Sequence, residues 1–207
     1  MPYYKEKNLL FIHIPKTGGT IIENELKKKT PEELFSRVKC LKFLIDPPYN
    51  KVTPQHQFYS TLYDYRKKLN INFENIKVFS IVRNPYDRII SDLLHLKLIK
   101  VDYTPELVFE NMKYNFFDRS GRLDNHEVPQ YKYVTDEDSK LIPHIKIFKC
   151  EKLNECNTEL NRYIGIDINI KQENVNKDYS KYLNKDSISL INDYYKKDFE
   201  MFGYKLK

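Results

Sequence analysis

The sequence predicts an α/β fold, with a parallel β-sheet flanked by helices, in a single domain that spans residues 1–207. Short apolar runs at residues 9–14 and 78–82 are typical of buried parallel strands. Each run ends in turn-forming residues and is followed by a helical pattern, which is the strand–turn–helix order of α/β proteins. The 207 residues and the hydrophobic content of 41% are suited to one compact core.

The first strand leads into an anion-binding type of loop, Pro15-Lys16-Thr17-Gly18-Gly19-Thr20. A helix is predicted after it, because Ile22 and Leu26 are four residues apart. The unpaired N–H groups at a helix start attract phosphate, glycines let it approach the backbone, and Lys16 adds a positive charge. The arrangement is P-loop-like, but the lysine precedes the glycines, whereas it follows them in G-x-x-x-x-G-K-[ST]. A plain tight turn with a surface lysine has the same composition.

A second strand–helix junction follows residue 82. Asn84 is suited to the N-cap and Pro85 to the first helical position. Arg83 then lies at the carboxyl end of a strand, where open α/β sheets bind ligands. Ser91 lies roughly 9 Å along the helix at about 1.5 Å per residue, so it can share one phosphate with the long Arg83 side chain. The alternative is that Arg83 pairs with Asp87 and that Ser91 has no ligand.

Together these segments resemble the nucleotide-binding segments of sulfotransferases that use 3′-phosphoadenosine 5′-phosphosulfate (PAPS). Residues 15–20 resemble the 5′-phosphosulfate loop, and residues 82–91 resemble the 3′-phosphate segment. The sequence is most similar to the carbohydrate-type (sulfotransferase family 2-like) enzymes, which share Ile-Pro-Lys-Thr and a later His followed by Pro-Gln, here at residues 126–130. Residues 194–204 resemble the closing helix of that family, so the likeness extends over about residues 8–204.

The resemblance implies transfer of a sulfuryl group from PAPS to an acceptor hydroxyl on a carbohydrate, with release of adenosine 3′,5′-bisphosphate (PAP). Tyrosine, lipid and small-molecule hydroxyls remain open as acceptors, and the oligomeric state is not predicted. Two other classes are also open: a nucleotide-dependent phosphotransferase, which needs Mg²⁺, and a non-catalytic nucleotide-binding module.

The resemblance also assigns roles to individual residues. Lys16 neutralises charge on the bridging oxygen, and no metal is required. The general base is expected to be His56, the only histidine between the two motifs, with His126 as the competitor. His13 is expected in the strand core, while His95 and His144 are expected on a helix face and in a loop. The residues implied to bind the nucleotide are Pro15, Lys16, Thr17, Gly18, Gly19, Thr20, Arg83 and Ser91.

Composition excludes several other classes. The formal charge of +6 favours an anionic ligand, but no arginine-rich tract, RNA-binding aromatic motif or zinc-finger spacing indicates nucleic acid. Three cysteines without clustered histidines argue against a disulfide framework or a zinc site, so reduced thiols are expected. No signal-peptide core and no run of about 18 apolar residues is present, which predicts a soluble, cytoplasmic chain without a membrane span.

The remaining elements follow from caps and periodicity. Polar and aromatic loops within residues 98–145 are expected to recognise the acceptor, and the alternative is a surface segment packed by its own tyrosines. The final helix is expected to be capped by Asp186 or Ser187 and to end before Gly203. The other predicted elements are a helix beginning at Thr30, strands at 38–45 and 143–150, and helices at 59–65, 104–112 and 154–163.

Overall fold

Among the residues that the structure describes, the sheet is mixed, with three parallel strands and one short antiparallel edge. The computed structural model describes residues 3–29, 52–118, 123–170 and 178–207. Within them, the strands lie in the order β1 (Tyr3–Tyr4), β2 (Leu9–Ile12), β3 (Lys77–Val82) and β4 (Ile145–Lys149). The pairs β2–β3 and β3–β4 are parallel, as predicted. β1 instead pairs antiparallel with β2 because the chain reverses within residues 5–8, a connection too short for a parallel crossover.

Helices flank this sheet. The predicted helix start at Thr30, the strand at 38–45 and Cys40 lie outside the described residues. The α-helices among the described residues are α1 (Gly19–Lys29), α2 (Tyr59–Asp64), α3 (Pro85–His95), α4 (Pro105–Met112), α5 (Tyr131–Val134), α6 (Asn157–Ile164), α7 (Lys185–Tyr194) and α8 (Lys196–Phe202).

The predicted final helix is two helices, α7 and α8, which meet at Tyr195. Its predicted caps, Asp186 and Ser187, are wrong. Asn184 is the N-cap, because its Oδ1 accepts the backbone N–H of Ser187 at 2.9 Å. The C-terminal stop is confirmed, since Gly203 has a left-handed φ of 62°.

Alternation along the strands separates two hydrophobic cores, one on each face of the sheet, and a third core lies among α3, α4, α7 and α8. Leu10 and Ile12 of β2 point to one face of the sheet, whereas Leu9 and Phe11 point to the other. Helices α2, α5 and α8 contribute to the first core, and α1 and α6 contribute to the second. All four β2 residues are buried, which explains the uninterrupted apolar run in the sequence.

The carboxyl ends of β2 and β3 lie side by side, because Ile12 pairs with Ser80 in the parallel register. Residues 13–18 leave β2 at this edge and lead into α1, while Arg83 and Asn84 connect β3 to α3. Asn84 caps α3 by accepting the N–H of Tyr86 at 3.1 Å, and Pro85 occupies the first helical position, as predicted. The fold therefore brings the two sequence motifs to one edge of the sheet.

Candidate active site

The loop after β2 is held in a specific backbone conformation. Lys16 has a left-handed φ of 61° and Gly18 has a φ of 89°. The left-handed backbone conformation costs energy for any residue with a Cβ atom, and such strain is concentrated at functional sites. The Thr17 side chain is buried, and its hydroxyl donates to the carbonyl oxygen of Ile14 at 2.9 Å. The Thr17 hydroxyl thus closes the loop internally, while Thr20 is exposed on α1.

Gly19 allows close contact between α1 and His13. A Cβ atom at position 19 would lie 2.4 Å from Cδ2 and Nε2 of the His13 ring, which is closer than van der Waals contact allows. His13 is buried, as expected, but it lies just beyond β2 rather than within the strand. Its Nδ1 lies 2.6 Å from Oε1 of Glu23 and 2.9 Å from Nε2 of Gln55. The second glycine of the loop therefore makes room for a buried imidazole.

Arg83 and Lys16 join the two motifs. Nη1 of Arg83 donates to the carbonyl oxygen of Lys16 at 3.2 Å, and the guanidinium carbon lies 5.6 Å from the centre of the Tyr179 ring. Lys16 is half-buried, and burial lowers the pKa of its ammonium group below the ordinary value. The positive charge of Arg83 lowers this pKa further, whereas the negative charge of Asp92 acts to raise it. Two cationic side chains thus converge where β2 and β3 end, which is suited to a ligand with more than one negative charge.

Arg88 is a buried cation that holds the surroundings of this loop. Its side chain is only 2% exposed. Nε donates to the carbonyl oxygen of Pro15 at 3.1 Å, and the two terminal nitrogens donate to the carbonyl oxygens of His126 (2.6 Å) and Val128 (3.0 Å). Asp92, one helical turn further along α3, places Oδ2 3.9 Å from Nε. Arg88 therefore connects the loop after β2 to the segment that carries His126.

His56 lies at the end of a short 3₁₀-helix, Pro54–His56, and is oriented by Asp124. Nδ1 of His56 lies 2.8 Å from Oδ2 of Asp124. The same carboxylate accepts the backbone N–H of Thr53 at 2.5 Å and its hydroxyl at 2.8 Å. Burial acts to raise the pKa of Asp124, but the hydrogen bonds from His56 and Thr53 prevail and hold this pKa below its ordinary value. The ionised carboxylate only accepts, so Nδ1 of His56 carries the proton and Nε2 is the basic atom of the neutral ring.

His126 belongs to a second pair of the same kind. Its Nδ1 lies 2.7 Å from Oδ1 of Asp92, and both side chains are buried. Because Asp92 also approaches Arg88, this carboxylate links the second histidine to the buried cation. The rings of His56 and His126 meet edge to face with their centres 4.9 Å apart. The two candidate bases named from the sequence are therefore neighbours.

Four of the five histidines form a continuous row of rings. His13 and His56 are 5.6 Å apart, His56 and His126 are 4.9 Å apart, and His126 and His95 are 6.0 Å apart between ring centres. Burial, followed by the positive charge of Lys16, lowers the pKa of His95. The row runs from the start of α1 to the end of α3, and His144 lies apart from it in the loop before β4, as expected.

A metal ion has one candidate site among the residues that the structure describes. His56, Asp124 and His126 each offer a ligand atom, and these atoms lie within 4.8 Å of one another. Nδ1 of each histidine is hydrogen-bonded to a carboxylate, that of Asp124 for His56 and that of Asp92 for His126. A carboxylate at one ring nitrogen is typical both of metal-binding histidines and of general bases.

The loops expected to recognise the acceptor contribute partly to the interior. Tyr133 is fully buried, and its hydroxyl donates to the carbonyl oxygen of Asn125 at 2.7 Å. Gln130 is also fully buried, whereas Tyr131 is half-buried. Ser91 lies partly buried in the second turn of α3. His126 is therefore the residue of the His-Pro-Gln element that faces His56, and Gln130 points elsewhere.

Comparison with known proteins identifies the class that these features define. The sulfotransferase family model matches residues 3–205, so the chain belongs to the sulfotransferase family. The α/β fold with a mixed four-stranded sheet agrees with that assignment. No curated protein matches the sequence. Family membership supports sulfuryl transfer in general terms. No helix within the described ranges is both long and apolar enough to cross a membrane.

Several residues of the site were missed by sequence reasoning. Asp92 follows Arg88 by four residues on a predicted helix, and this i, i+4 spacing was a usable signal for an ion pair. Asp124 gave no such signal, because its partners Thr53 and His56 lie far away in the chain. Gln130 was named as part of the Pro-Gln motif, but its partner Arg83 was not predicted, because it also lies far away in the chain.

Proposed function

We propose that residues 1–207 form one sulfotransferase domain that transfers a sulfuryl group from PAPS to an acceptor hydroxyl and releases PAP. The observation that carries the proposal is the hydrogen bond between Arg83 and the carbonyl oxygen of Lys16. It joins the two motifs that resemble the 5′-phosphosulfate and 3′-phosphate segments of the family, so one nucleotide with phosphates at both ends can contact both.

The donor is held by positive charge and backbone N–H groups. The loop of residues 15–20 and the start of α1 offer N–H donors to the 5′-phosphate. Arg83, with Ser91, binds the 3′-phosphate through a charge-assisted hydrogen bond. Lys16 neutralises the bridging oxygen as its bond to sulfur breaks, and this reduction of developing charge lowers the barrier.

The acceptor hydroxyl is activated by His56. Nε2 of His56 takes the hydroxyl proton, the acceptor oxygen forms a bond to sulfur, and the sulfur–oxygen bond to the 5′-phosphate breaks with its electron pair leaving on PAP. Asp124 holds the ring and stabilises the imidazolium that forms. The loose transition state makes positioning the main task of the protein, and no metal is assigned to the reaction.

The acceptor class is a carbohydrate hydroxyl. This assignment follows from the resemblance to carbohydrate-type enzymes, in particular the Ile-Pro-Lys-Thr loop and the His-Pro-Gln element.

Calorimetric titration tests the donor site. PAP and ATP with Mg²⁺ are titrated into the wild type and into Arg83→Ala. We expect metal-independent binding of PAP that Arg83→Ala weakens. A preference for ATP with Mg²⁺ would favour a phosphotransferase, and PAP binding without turnover of any acceptor would favour a binding module.

A Lys16→Ala variant tests the chemistry. We expect loss of sulfuryl transfer from PAPS with an unchanged melting temperature, because Lys16 is only half-buried. Lys28→Ala is the matched control, since Lys28 is an exposed lysine on α1. Undiminished turnover by Lys16→Ala would contradict the mechanism.

A further inference from the structure

The side chain of Gln130 is paired with the backbone of Arg83. Oε1 of Gln130 accepts the Arg83 N–H at 2.8 Å, and Nε2 donates to the Arg83 carbonyl oxygen at 2.8 Å. Gln130 is fully buried, so these bonds form away from water. A side-chain amide thus continues the hydrogen bonding of β3 by one residue beyond Val82, at the point where Arg83 leaves the sheet.

The Gln130 amide is itself held in one orientation by α8. Asp198 is fully buried, and its Oδ2 accepts the N–H of Gln130 at 2.8 Å and lies 3.3 Å from Nε2. Its Oδ1 accepts the N–H of Tyr131 at 2.8 Å. Because Nε2 faces two acceptors and Oε1 faces the N–H of Arg83, exchange of the two amide atoms would break all three of these contacts.

We infer that Gln130 is a positioning residue for the anion site built on Arg83, and that it sets the affinity for the 3′-phosphate of the nucleotide. Gln130 bonds both the N–H and the carbonyl oxygen of Arg83, so it holds the backbone on either side of the Arg83 Cα. The Arg83 guanidinium then donates to the carbonyl oxygen of Lys16 at 3.2 Å. Without Gln130, the backbone N–H and carbonyl oxygen of Arg83 would lose these buried hydrogen bonds. The backbone that carries the guanidinium would then no longer be held in one position. The inference rests on the proposed function.

The test compares two nucleotides that differ only in the 3′-phosphate, PAP and adenosine 5′-monophosphate. Gln130→Met keeps the volume of the side chain and removes both hydrogen bonds to Arg83. We expect the affinity for PAP to fall on the order of 10- to 100-fold, which is the range for a hydrogen bond to a charged group. The affinity for adenosine 5′-monophosphate is expected to change less than about threefold, because this nucleotide lacks the 3′-phosphate. A change of that size is at the lower end of the net contribution of one uncharged hydrogen bond.

Gln57→Met is the matched control. Gln57 is 1% exposed and its Nε2 donates to the carbonyl oxygen of Val52 at 3.0 Å, so it is another buried glutamine bonded to backbone, but away from Arg83. We expect it to leave the ratio of the two affinities unchanged. In an Arg83→Ala background, Gln130→Met is expected to have no further effect on PAP, because the two changes remove one interaction.

Equal weakening of both nucleotides by Gln130→Met would overturn the inference while leaving the proposed function intact, and so would no weakening of either. A wild type that binds PAP no better than adenosine 5′-monophosphate would overturn both. If Gln130→Met does not fold, Gln130→Asn serves in its place, since it keeps the amide but withdraws it from Arg83. Preserved discrimination in Gln130→Asn would then contradict the inference.

Discussion

Replacement of Asp124 by asparagine tests whether His56 is the general base, because it changes which ring nitrogen of His56 carries the proton. The backbone N–H of Thr53 donates to Oδ1, whereas the Thr53 hydroxyl and Nδ1 of His56 meet Oδ2. In Asp124→Asn the amide oxygen stays at the Thr53 N–H, which requires an acceptor, so the amide nitrogen replaces Oδ2. An N–H donor then faces Nδ1 of His56. The ring is expected to adopt the tautomer that carries its proton on Nε2, the atom that must accept the hydroxyl proton, because the amide lies nearer to Nδ1 than the backbone carbonyl oxygen of residue 124, which is 3.1 Å away.

The expected loss in kcat is the contribution of general-base catalysis, about 10²- to 10⁴-fold. The fold loses little, because the Thr53 N–H keeps its acceptor and the Thr53 hydroxyl can turn to accept from the new amide. The destabilisation is therefore about 1 kcal/mol, the net contribution of one hydrogen bond.

The assay is single-turnover sulfuryl transfer from PAPS, with the melting temperature and PAP affinity measured on the same preparations. Asp136→Asn is the control, because Asp136 also accepts a backbone N–H, from Lys140 at 2.8 Å, but lies exposed on the surface. Full activity of Asp124→Asn would refute the reasoning. If His126→Gln loses the 10²- to 10⁴-fold instead, the base is His126.

Three further predictions concern the residues around the loop of residues 15–20. Gly19→Ala is expected to destabilise the protein by about 1–3 kcal/mol in denaturant unfolding, because its Cβ would overlap the His13 ring; His13→Ala in the same chain should restore most of that loss, and additive effects would contradict the clash. Arg88→Met is expected to cost about 3–5 kcal/mol, since it leaves a buried carboxylate without its cation; a shift in melting temperature below about 2 °C would exclude this role. Burial lowers the pKa of His13 in the folded protein below its ordinary value of about 6.5. The contribution of His13 to the free energy of unfolding is therefore fully present above a pH of about 6.5, and it is lost as the pH falls from there to the lower pKa of the folded protein. Stability should decline below that pH, and a His13→Gln variant with the same slope would show that another group is responsible.

Much of the fold was predictable because its signals are local. The buried strands β2 and β3 are continuous apolar runs, and the N-cap and first residue of α3 are Asn84 and Pro85, residues whose preferences arise within one turn of helix. The failures are also local in origin. Asn184 competed with Asp186 and Ser187 as a cap for α7, and composition does not distinguish neighbouring capping residues.

The site was predictable only where a motif carried it. Lys16, Arg83 and His56 were named from two motifs and the interval between them, and their catalytic and binding roles stay predictions. The pairings that orient them were not predicted, because each partner lies far away in the chain. Asp124 is 68 residues from His56, and Gln130 is 47 residues from Arg83.

The sequence by itself determined the strand–loop–helix units and the family to which the chain belongs. These properties depend on residues close together in the chain, whose backbone preferences and charges act over a few positions. Only the tertiary structure decided that Asp124 and Asp92 would each hold a histidine and that Gln130 would hold the backbone of Arg83. Those pairings require segments brought together by burial of the three hydrophobic cores, and a sequence does not reveal which polar groups that burial will bring together.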